Sequence, residues 1–199
     1  MPTLWSSRTR TQWKAALDSY DEVISRQGVA KLEERDRWYR DELPGLINAR
    51  RPRHVTHPEL VRLTEWKMSR GKWRAPNLIL VKGNTPALVK ATTTAGLALV
   101  PDPTAPIAKI AELAGVGPAT ASAILSAAEP TIYPFFDELV AAQIPGLGPV
   151  AFTLSYYRRY AEGLRERAAA LGGKWTVTMV ERALWAEAGG KVGVRRLGD

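Results

Sequence analysis

LAGVGPATASAI, residues 113 to 124, places two glycines and a proline between two apolar, alanine-rich segments. We interpret the region as a helix with the sequence APIAKIAEL, a hairpin turn at GVG, and a second helix, PATASAILSAA. Gly115 and Gly117 allow positive φ in a very short turn, and Pro118 suits the first position of the second helix. Because alanine side chains are small, the two helices can approach closely. The sequence therefore predicts a helical hairpin over residues 106–128.

The amides of this turn are candidates for binding an anion. At the start of a helix the first backbone N–H groups lack partners inside the helix, and they lie at the positive end of the helix dipole. One phosphate of a nucleic-acid backbone suits such a place, and a contact of this kind positions a duplex without reading its sequence. The spacing is equally compatible with a plain corner between two helices, in which glycine only ends the first helix. The predicted phosphate-binding residues are Gly115, Val116, Gly117, Ala119 and Thr120.

Composition supports a basic, compact protein. The chain has 199 residues, of which 45% are apolar, and a formal net charge of +8. Such a balance is typical of proteins that meet a polyanion, although a merely soluble basic surface is the alternative. The chain has no cysteine, which excludes disulfides, thiolate zinc sites, iron–sulfur clusters and cysteine nucleophiles.

Helical periodicity and helix-start signals run along most of the chain. An amphipathic stripe begins at Trp13, and a charged helix follows Gly28, which we expect to end at Pro44 and Gly45. Thr56 with Glu59, and Thr178 with Glu181, have the spacing of capping boxes. We interpret NLILVK as helix rather than strand because it lies among helical segments. The predicted fold class is all-α.

Residues 1–199 are expected to form a single domain. Two lobes are compatible with the pattern, one made of residues 1–50 plus 150–199 and the other of residues 51–149. The amino terminus has no apolar run of signal-peptide length, and no apolar stretch reaches the length of a membrane span. We therefore expect an intracellular monomer, in the cytoplasm, nucleoid or nucleus, with no membrane and no obligatory protein partner.

The hairpin resembles the helix-hairpin-helix motif of the DNA glycosylase superfamily, which includes endonuclease III and the 8-oxoguanine and alkyladenine glycosylases. In that family a pattern L-P-G-V-G-x-K-T-A is followed, about eighteen residues after its lysine, by an aspartate. Here Ala119 stands at the lysine position, and Asp137 lies eighteen residues later within FFDELV. The resemblance covers residues 104 to 140, and WTVTMVERALW is more weakly similar to a terminal helix of some members.

The resemblance implies a two-lobed helical bundle that binds double-stranded DNA, extrudes a damaged or modified base and hydrolyses its N-glycosidic bond. In that role Asp137 stabilises the oxocarbenium character of the sugar and activates water. Asp137 is also placed to cap a short helix, and both roles are compatible. Because Ala119 replaces the lysine that bifunctional members use to form a Schiff base, the resemblance implies a monofunctional hydrolase without a cofactor. Some relatives hold a monovalent cation at the hairpin carbonyls.

The strongest concentration of positive charge lies between Arg50 and Arg74, where eight Arg and Lys residues stand against two Glu. We predict that Arg70, Lys72 and Arg74 bind DNA phosphates and that Trp73 stacks or wedges at a lesion, whereas Trp66 is buried. Near Asp137, three aromatic side chains are candidates for the wall of a base pocket, with core packing as the alternative. These are Tyr133, Phe135 and Phe136.

Other patterns carry less information. His54 and His57 have no carboxylate or thiol cluster beside them, so we predict no metal site. A second glycine turn at Gly146 to Pro149 repeats the G-h-G-P pattern, and a loop between packed helices explains it equally well. Two alternatives to the enzyme stay open: a non-catalytic helix-hairpin-helix module that recognises DNA or its damage, and an RNA-binding or protein-interaction role suggested by charge alone. Ala119 and Leu139, where many relatives have histidine, favour the module, whereas the Asp137 spacing favours the enzyme.

Overall fold

Helices make up the regular structure of this protein in the computed structural model, which describes residues 3–7 and 9–191. Over these residues there are α-helices, a short 3₁₀ helix at Leu4–Ser6 and a π-helical turn at Trp38–Glu42, and no β-strand. The predicted all-α class is confirmed. The α-helices are α1 (Arg10–Asp18), α2 (Tyr20–Arg26), α3 (Leu32–Arg37), α4 (Leu43–Ala49), α5 (His57–Arg70), α6 (Ala75–Gly83), α7 (Pro86–Ala98), α8 (Ala105–Ile110), α9 (Pro118–Ala128), α10 (Glu138–Ala141), α11 (Leu154–Leu171) and α12 (Val177–Glu187).

Threonine caps start several of these helices, as local sequence signals predict. The Thr56 hydroxyl accepts from the Glu59 amide, and the Glu59 carboxylate accepts from the Thr56 amide, so the capping box of α5 is confirmed. The capping box predicted at Thr178 is wrong, because the cap of α12 is Thr176, whose hydroxyl accepts from the Met179 amide. Thr178 lies inside α12 and its hydroxyl donates to the Pro130 carbonyl at 2.8 Å.

The charged helix after Gly28 does not end at Pro44 and Gly45. After α3 the chain passes through the π-helical turn, and α4 begins at Leu43 and continues to Ala49. Pro44 therefore occupies the first turn of a new helix, where its missing N–H has no partner to lose. The segment NLILVK lies within α6, so its assignment as helix is confirmed.

Most of the buried apolar side chains form one contiguous cluster. α12 packs against α1, α2, α10 and α11, while α5 packs against α3, α6, α7 and α9. Trp13, Trp66 and Trp185 are fully buried, which confirms the burial predicted for Trp66. The division into lobes 1–50 plus 150–199 and 51–149 stays a prediction.

The longest helix of the described residues is α11, with 18 residues. None of the helices within these residues combines the length and the apolar character needed to cross a bilayer. Four chain segments meet at one cavity: the end of α5 with the loop after it and the first turn of α6, the start of α9, the segment leading into α10, and Phe152 before α11.

Candidate functional site

The hairpin joins α8 to α9, but its turn is longer than GVG. α8 ends at Ile110 and α9 begins at Pro118, so residues 111–117 form the connection. Gly115 has a φ of +74°, as predicted, and a Cβ added there would lie 2.5 Å from the Asn77 carbonyl oxygen of α6. Gly117 has a φ of −100°, so the prediction of positive φ at this residue is wrong. It is the N-cap of α9 in an extended conformation that any residue adopts.

Three amides of this hairpin, those of Gly115, Gly117 and Ala119, have no partner in the described chain. The Val116 amide donates to the Leu113 carbonyl, and the Thr120 amide donates to the Gly117 carbonyl. The Gly117 and Ala119 amides donate to no acceptor among the described residues. They lie at the start of α9, where an anion is favoured by the helix dipole.

A cavity of about 280 Å³ lies beside these amides. It is close to the lower end of the roughly 300–1,000 Å³ that small-molecule sites span. Its wall combines the start of α9, the end of α5 with the loop that follows, and the segment leading into α10. The lining residues are Lys67, Gly71, Lys72, Arg74, Asn77, Gly117, Pro118, Ala119, Thr120, Phe135, Phe136, Asp137, Glu138 and Phe152.

Asp137 lies in the wall of this cavity and also caps α10. One carboxylate oxygen, Oδ1, accepts from the Leu139 amide at 2.8 Å, which confirms the capping role. The other oxygen, Oδ2, makes no hydrogen bond with the described residues and lies 3.8 Å from Nε of Arg70. The residue is only 8% exposed. The structure thus brings the hairpin and this carboxylate to one cavity, as their spacing predicted.

Arg70 is not a phosphate-binding residue, and this prediction is wrong. Its side chain is 2% exposed, and Nη2 donates to the Glu181 carboxylate at 2.5 Å. The guanidinium lies over the rings of Trp185 and Phe135, at 4.5 Å and 5.1 Å from their centroids. Burial raises the pKa of Glu181 to about 7, while the Arg70 charge acts in the opposite direction. Arg70 therefore joins α5, α10 and α12 inside the protein.

Lys72 and Arg74 are exposed and line the cavity. Neither forms an ion pair with a carboxylate of the described residues, so both charges are available to a ligand. By contrast, four of the eight cations between Arg50 and Arg74 are paired. These pairs are Arg50 with Glu59, Arg53 with Glu129, Arg62 with Glu34 and Arg70 with Glu181. Trp73, between Lys72 and Arg74, is 48% exposed.

The aromatic residues predicted near Asp137 divide into two groups. Phe135 and Phe136 line the cavity, although both side chains are mostly packed in the core. Tyr133 does not reach the cavity: it is buried, and its hydroxyl donates to the Asp102 carbonyl at 2.7 Å. For Tyr133 the core-packing alternative is therefore the correct one.

Phe152 and Lys67 are among the cavity residues that were not identified from the sequence. Phe152 is 47% exposed and lies 5.2 Å from Phe136 between ring centroids. It follows the second glycine turn, in which Gly146 and Gly148 both have positive φ, so this turn returns the chain toward the cavity. The other residue is Lys67, near the end of α5, whose charge was counted only as part of the basic segment.

His54 and His57 do not form part of this site. The His54 ring lies 2.8 Å from the Pro52 carbonyl oxygen, and the His57 ring lies 3.1 Å from that of Lys82. Across residues 3–7 and 9–191 there is no group of three His, Asp or Glu side chains able to hold a metal ion. A monovalent cation at the hairpin carbonyls stays a prediction.

Comparison with known proteins gives no further assignment. No protein-family model, curated protein or solved structure matches this chain. The resemblance to helix-hairpin-helix glycosylases therefore depends on the motif of residues 113 to 124 and on the spacing of Asp137.

Proposed function

We propose that this protein binds double-stranded DNA, takes up one extruded base and hydrolyses its N-glycosidic bond as a monofunctional glycosylase. The observation that supports this most is a single cavity that combines unpaired amides, unpaired cations, aromatic rings and a carboxylate. We further propose that the helices form the two lobes of a glycosylase-like fold, with the cavity at the cleft. Such a protein acts on cellular DNA, in the cytoplasm, nucleoid or nucleus.

Phosphate binding is supported by two kinds of donor on the same wall. The Gly117 and Ala119 amides have no acceptor in the described chain, and the Thr120 hydroxyl makes no hydrogen bond there either. Lys72 and Arg74 add two exposed charges. Because amides at a helix start and cations contact the DNA backbone without reading bases, this wall would position a strand.

Base binding is supported by the size and the apolar part of the cavity. A volume of about 280 Å³ is large enough for one flat base. The exposed Phe152, which packs against the buried Phe136, provides ring surface on which an extruded base can stack. Stacking compensates part of the cost of removing the base from the duplex.

Hydrolysis would use Asp137 and one water molecule. The water oxygen forms a bond to C1′ of the sugar, the C1′–N bond breaks, and the base leaves with the electron pair and acquires a proton. The Asp137 carboxylate takes up the water proton and stabilises positive charge on the sugar. Since the carboxylate is nearly buried, its charge acts at low dielectric, where such stabilisation is largest.

The decisive experiment uses duplexes that carry uracil, alkylated, oxidised or hypermodified bases, followed by alkali to reveal abasic sites. Asp137→Asn keeps an oxygen for the Leu139 amide, so it preserves the helix cap while removing the negative charge. We expect it to bind DNA normally and to yield no alkali-labile product. Glu138→Gln, at an exposed residue of the same cavity, is the matched control and should retain activity. Full activity of Asp137→Asn would contradict the assigned role.

A non-catalytic DNA-recognition module is the second candidate. It is favoured by the capping bond of Asp137, which gives this residue a structural reason to be present without any chemistry. In this case no duplex would give an alkali-labile product, and Asp137→Asn would bind a preferred DNA structure as tightly as the wild type. Binding measurements on the same set of duplexes separate the two functions.

A further inference from the structure

Lys67 differs from the other cations of the candidate site in its burial. Of the three cations that line the cavity, Lys67 is partly buried, whereas Lys72 and Arg74 are exposed. It lies in the last turn of α5, and its ammonium group forms no hydrogen bond or ion pair with the described residues. An ammonium group carries three N–H donors and no acceptor. Its partial withdrawal from water therefore leaves donors that an acceptor of a ligand can satisfy.

The electrostatic surroundings of Lys67 indicate the same lack of a partner. Burial lowers the pKa of Lys67 below its usual range, and the nearby Arg74 charge acts in the same direction, while Asp137 and Glu138 act against it. The ammonium form is thus only partly compensated inside the protein. A ligand oxygen placed on the amine would stabilise it.

Nucleic-acid bases differ in what they offer to such a donor. The keto bases guanine, hypoxanthine, thymine and uracil carry an exocyclic oxygen, which accepts, where adenine and cytosine carry an amino group, which donates. Lysine accordingly contacts O6 of guanine in protein–DNA complexes, whereas asparagine and glutamine contact adenine. An amino group facing Lys67 would set donor against donor and leave the amine without the hydrogen bonds that it had in water.

The other polar side chains of the cavity discriminate less between bases. Asn77 and Glu138 have oxygens that suit an amino group, but both residues are exposed and keep water when no base contacts them. The Thr120 hydroxyl can donate or accept, and Asp137 acts on the sugar in the proposed reaction. Lys67 is therefore the cavity residue whose hydrogen bonding depends most on the exocyclic group of the bound base.

We propose that Lys67 selects keto bases by donating a hydrogen bond to their exocyclic oxygen. The substrate class of the site is then a base of the guanine, hypoxanthine, thymine or uracil type, and bases of the adenine or cytosine type are rejected. This inference rests on the proposed function, because it places an extruded base in the same cavity. It deepens that function by naming the substrate class, and it adds no covalent step to the monofunctional reaction.

Pairs of bases that carry an oxygen or an amino group at the same ring position test the selection. Hypoxanthine with adenine is one pair, and uracil with cytosine is the other. Each base is placed in the same duplex opposite an abasic analogue, so that base pairing contributes nothing, and on a 2′-fluorinated sugar, which resists hydrolysis. Fluorescence anisotropy should show that the full chain binds the keto member of each pair about tenfold more tightly, the order of discrimination that a good base contact provides.

The variant Lys67→Met keeps an apolar side chain of similar length but removes the donors, so it should bind both members of each pair with equal affinity. Lys72→Met is the matched control, because the exposed Lys72 lines the same cavity. It should weaken binding of both members alike and keep the preference. Each result is a ratio measured on one preparation, so partial misfolding of a variant leaves it unchanged. Equal affinities or an amino preference in the wild type, or a keto preference retained in Lys67→Met, would overturn the inference.

Free bases separate this inference from the proposed function. Saturation-transfer NMR of the full chain with hypoxanthine and with adenine needs no DNA, and it should show stronger binding of hypoxanthine that Lys67→Met abolishes. A keto preference without removal of any base would support the inference and refute the glycosylase. Equal removal of keto and amino bases would retain the glycosylase and overturn the inference, as would the absence of any preference among both the free bases and the duplexes.

Discussion

Replacing Gly115 by alanine tests whether the hairpin is fixed against α6. The residue has a φ of +74°, where a side chain costs about 1–2 kcal/mol. The new Cβ would also lie 2.5 Å from the Asn77 carbonyl oxygen and 2.9 Å from the Val81 amide nitrogen. Since both are backbone atoms, α6 or the hairpin must move, and overpacking of this kind costs about 1–3 kcal/mol. We therefore expect Gly115→Ala to lose about 2–5 kcal/mol of the free energy of unfolding.

Gly117→Ala is the matched control two residues away. Its φ is −100° and nothing lies within 4 Å of an added Cβ, so its free energy of unfolding should fall by no more than about 1 kcal/mol, the cost of an alanine at the N-cap of α9. Urea denaturation followed by far-ultraviolet circular dichroism measures both variants. A Gly115→Ala variant as stable as the wild type, or an equal loss in both variants, would refute the arrangement of the hairpin on α6.

Two further predictions concern charge. Arg70→Met should lower the free energy of unfolding by about 3–5 kcal/mol, because it leaves Glu181 buried without its partner, and the double variant with Glu181→Leu should recover most of the loss. Burial raises the pKa of Glu181 to about 7 from 4.5, so the stability linked to its neutral form is present below pH 4.5 and is lost as the pH rises through 7. Denaturation of the wild type across this pH range should show the free energy of unfolding fall as the pH rises, and the double variant should show a smaller fall. Equal pH profiles for the two proteins would contradict the role of Glu181. DNA affinity can be measured by fluorescence anisotropy at several salt concentrations, and the slope of log affinity against log salt reports the number of phosphate contacts. We expect this slope to become shallower by about one in Lys72→Gln and by about one in Arg74→Gln. An unchanged slope would exclude the substituted residue from phosphate contact.

Helices were predictable where the signal is local. Thr56 and Glu59 are three residues apart, and the bonds between them form within one turn whatever the rest of the chain does. At α12 the local pattern misled, because Thr176 and Thr178 are both plausible caps in sequence. Contact with Pro130, 48 residues away, places Thr178 inside the helix. Pro44 misled for a similar reason, since a π-helical turn before it provides a new helix start.

Residues of the candidate site were predictable only where they belong to a motif or lie next to a motif residue in the sequence. Asp137 and the hairpin were linked by a spacing, and Phe135 and Phe136 came with Asp137 as neighbours in sequence. Arg70 and Lys72 look alike in the sequence, yet the Arg70 side chain is 2% exposed whereas Lys72 is exposed. Arg70 is buried because it packs against Glu181 and Trp185, which are distant in the sequence. Lys67 and Phe152 were missed because the cavity that gives them meaning is assembled from four separate segments.

Arg70 is buried rather than available to a phosphate, yet it lies next to the carboxylate of the candidate site. Its guanidinium holds Glu181 of α12 and lies 3.8 Å from Oδ2 of Asp137, the oxygen that the helix cap leaves without a hydrogen bond. One residue at the end of α5 therefore restrains the carboxylate at the start of α10 against α12. The proposed phosphate binding by Lys72 and Arg74 requires only that the loop after Arg70 be exposed, whereas the proposed chemistry at Asp137 requires that Arg70 itself be buried. Both requirements are met by adjacent residues because the chain leaves the core immediately after α5 ends.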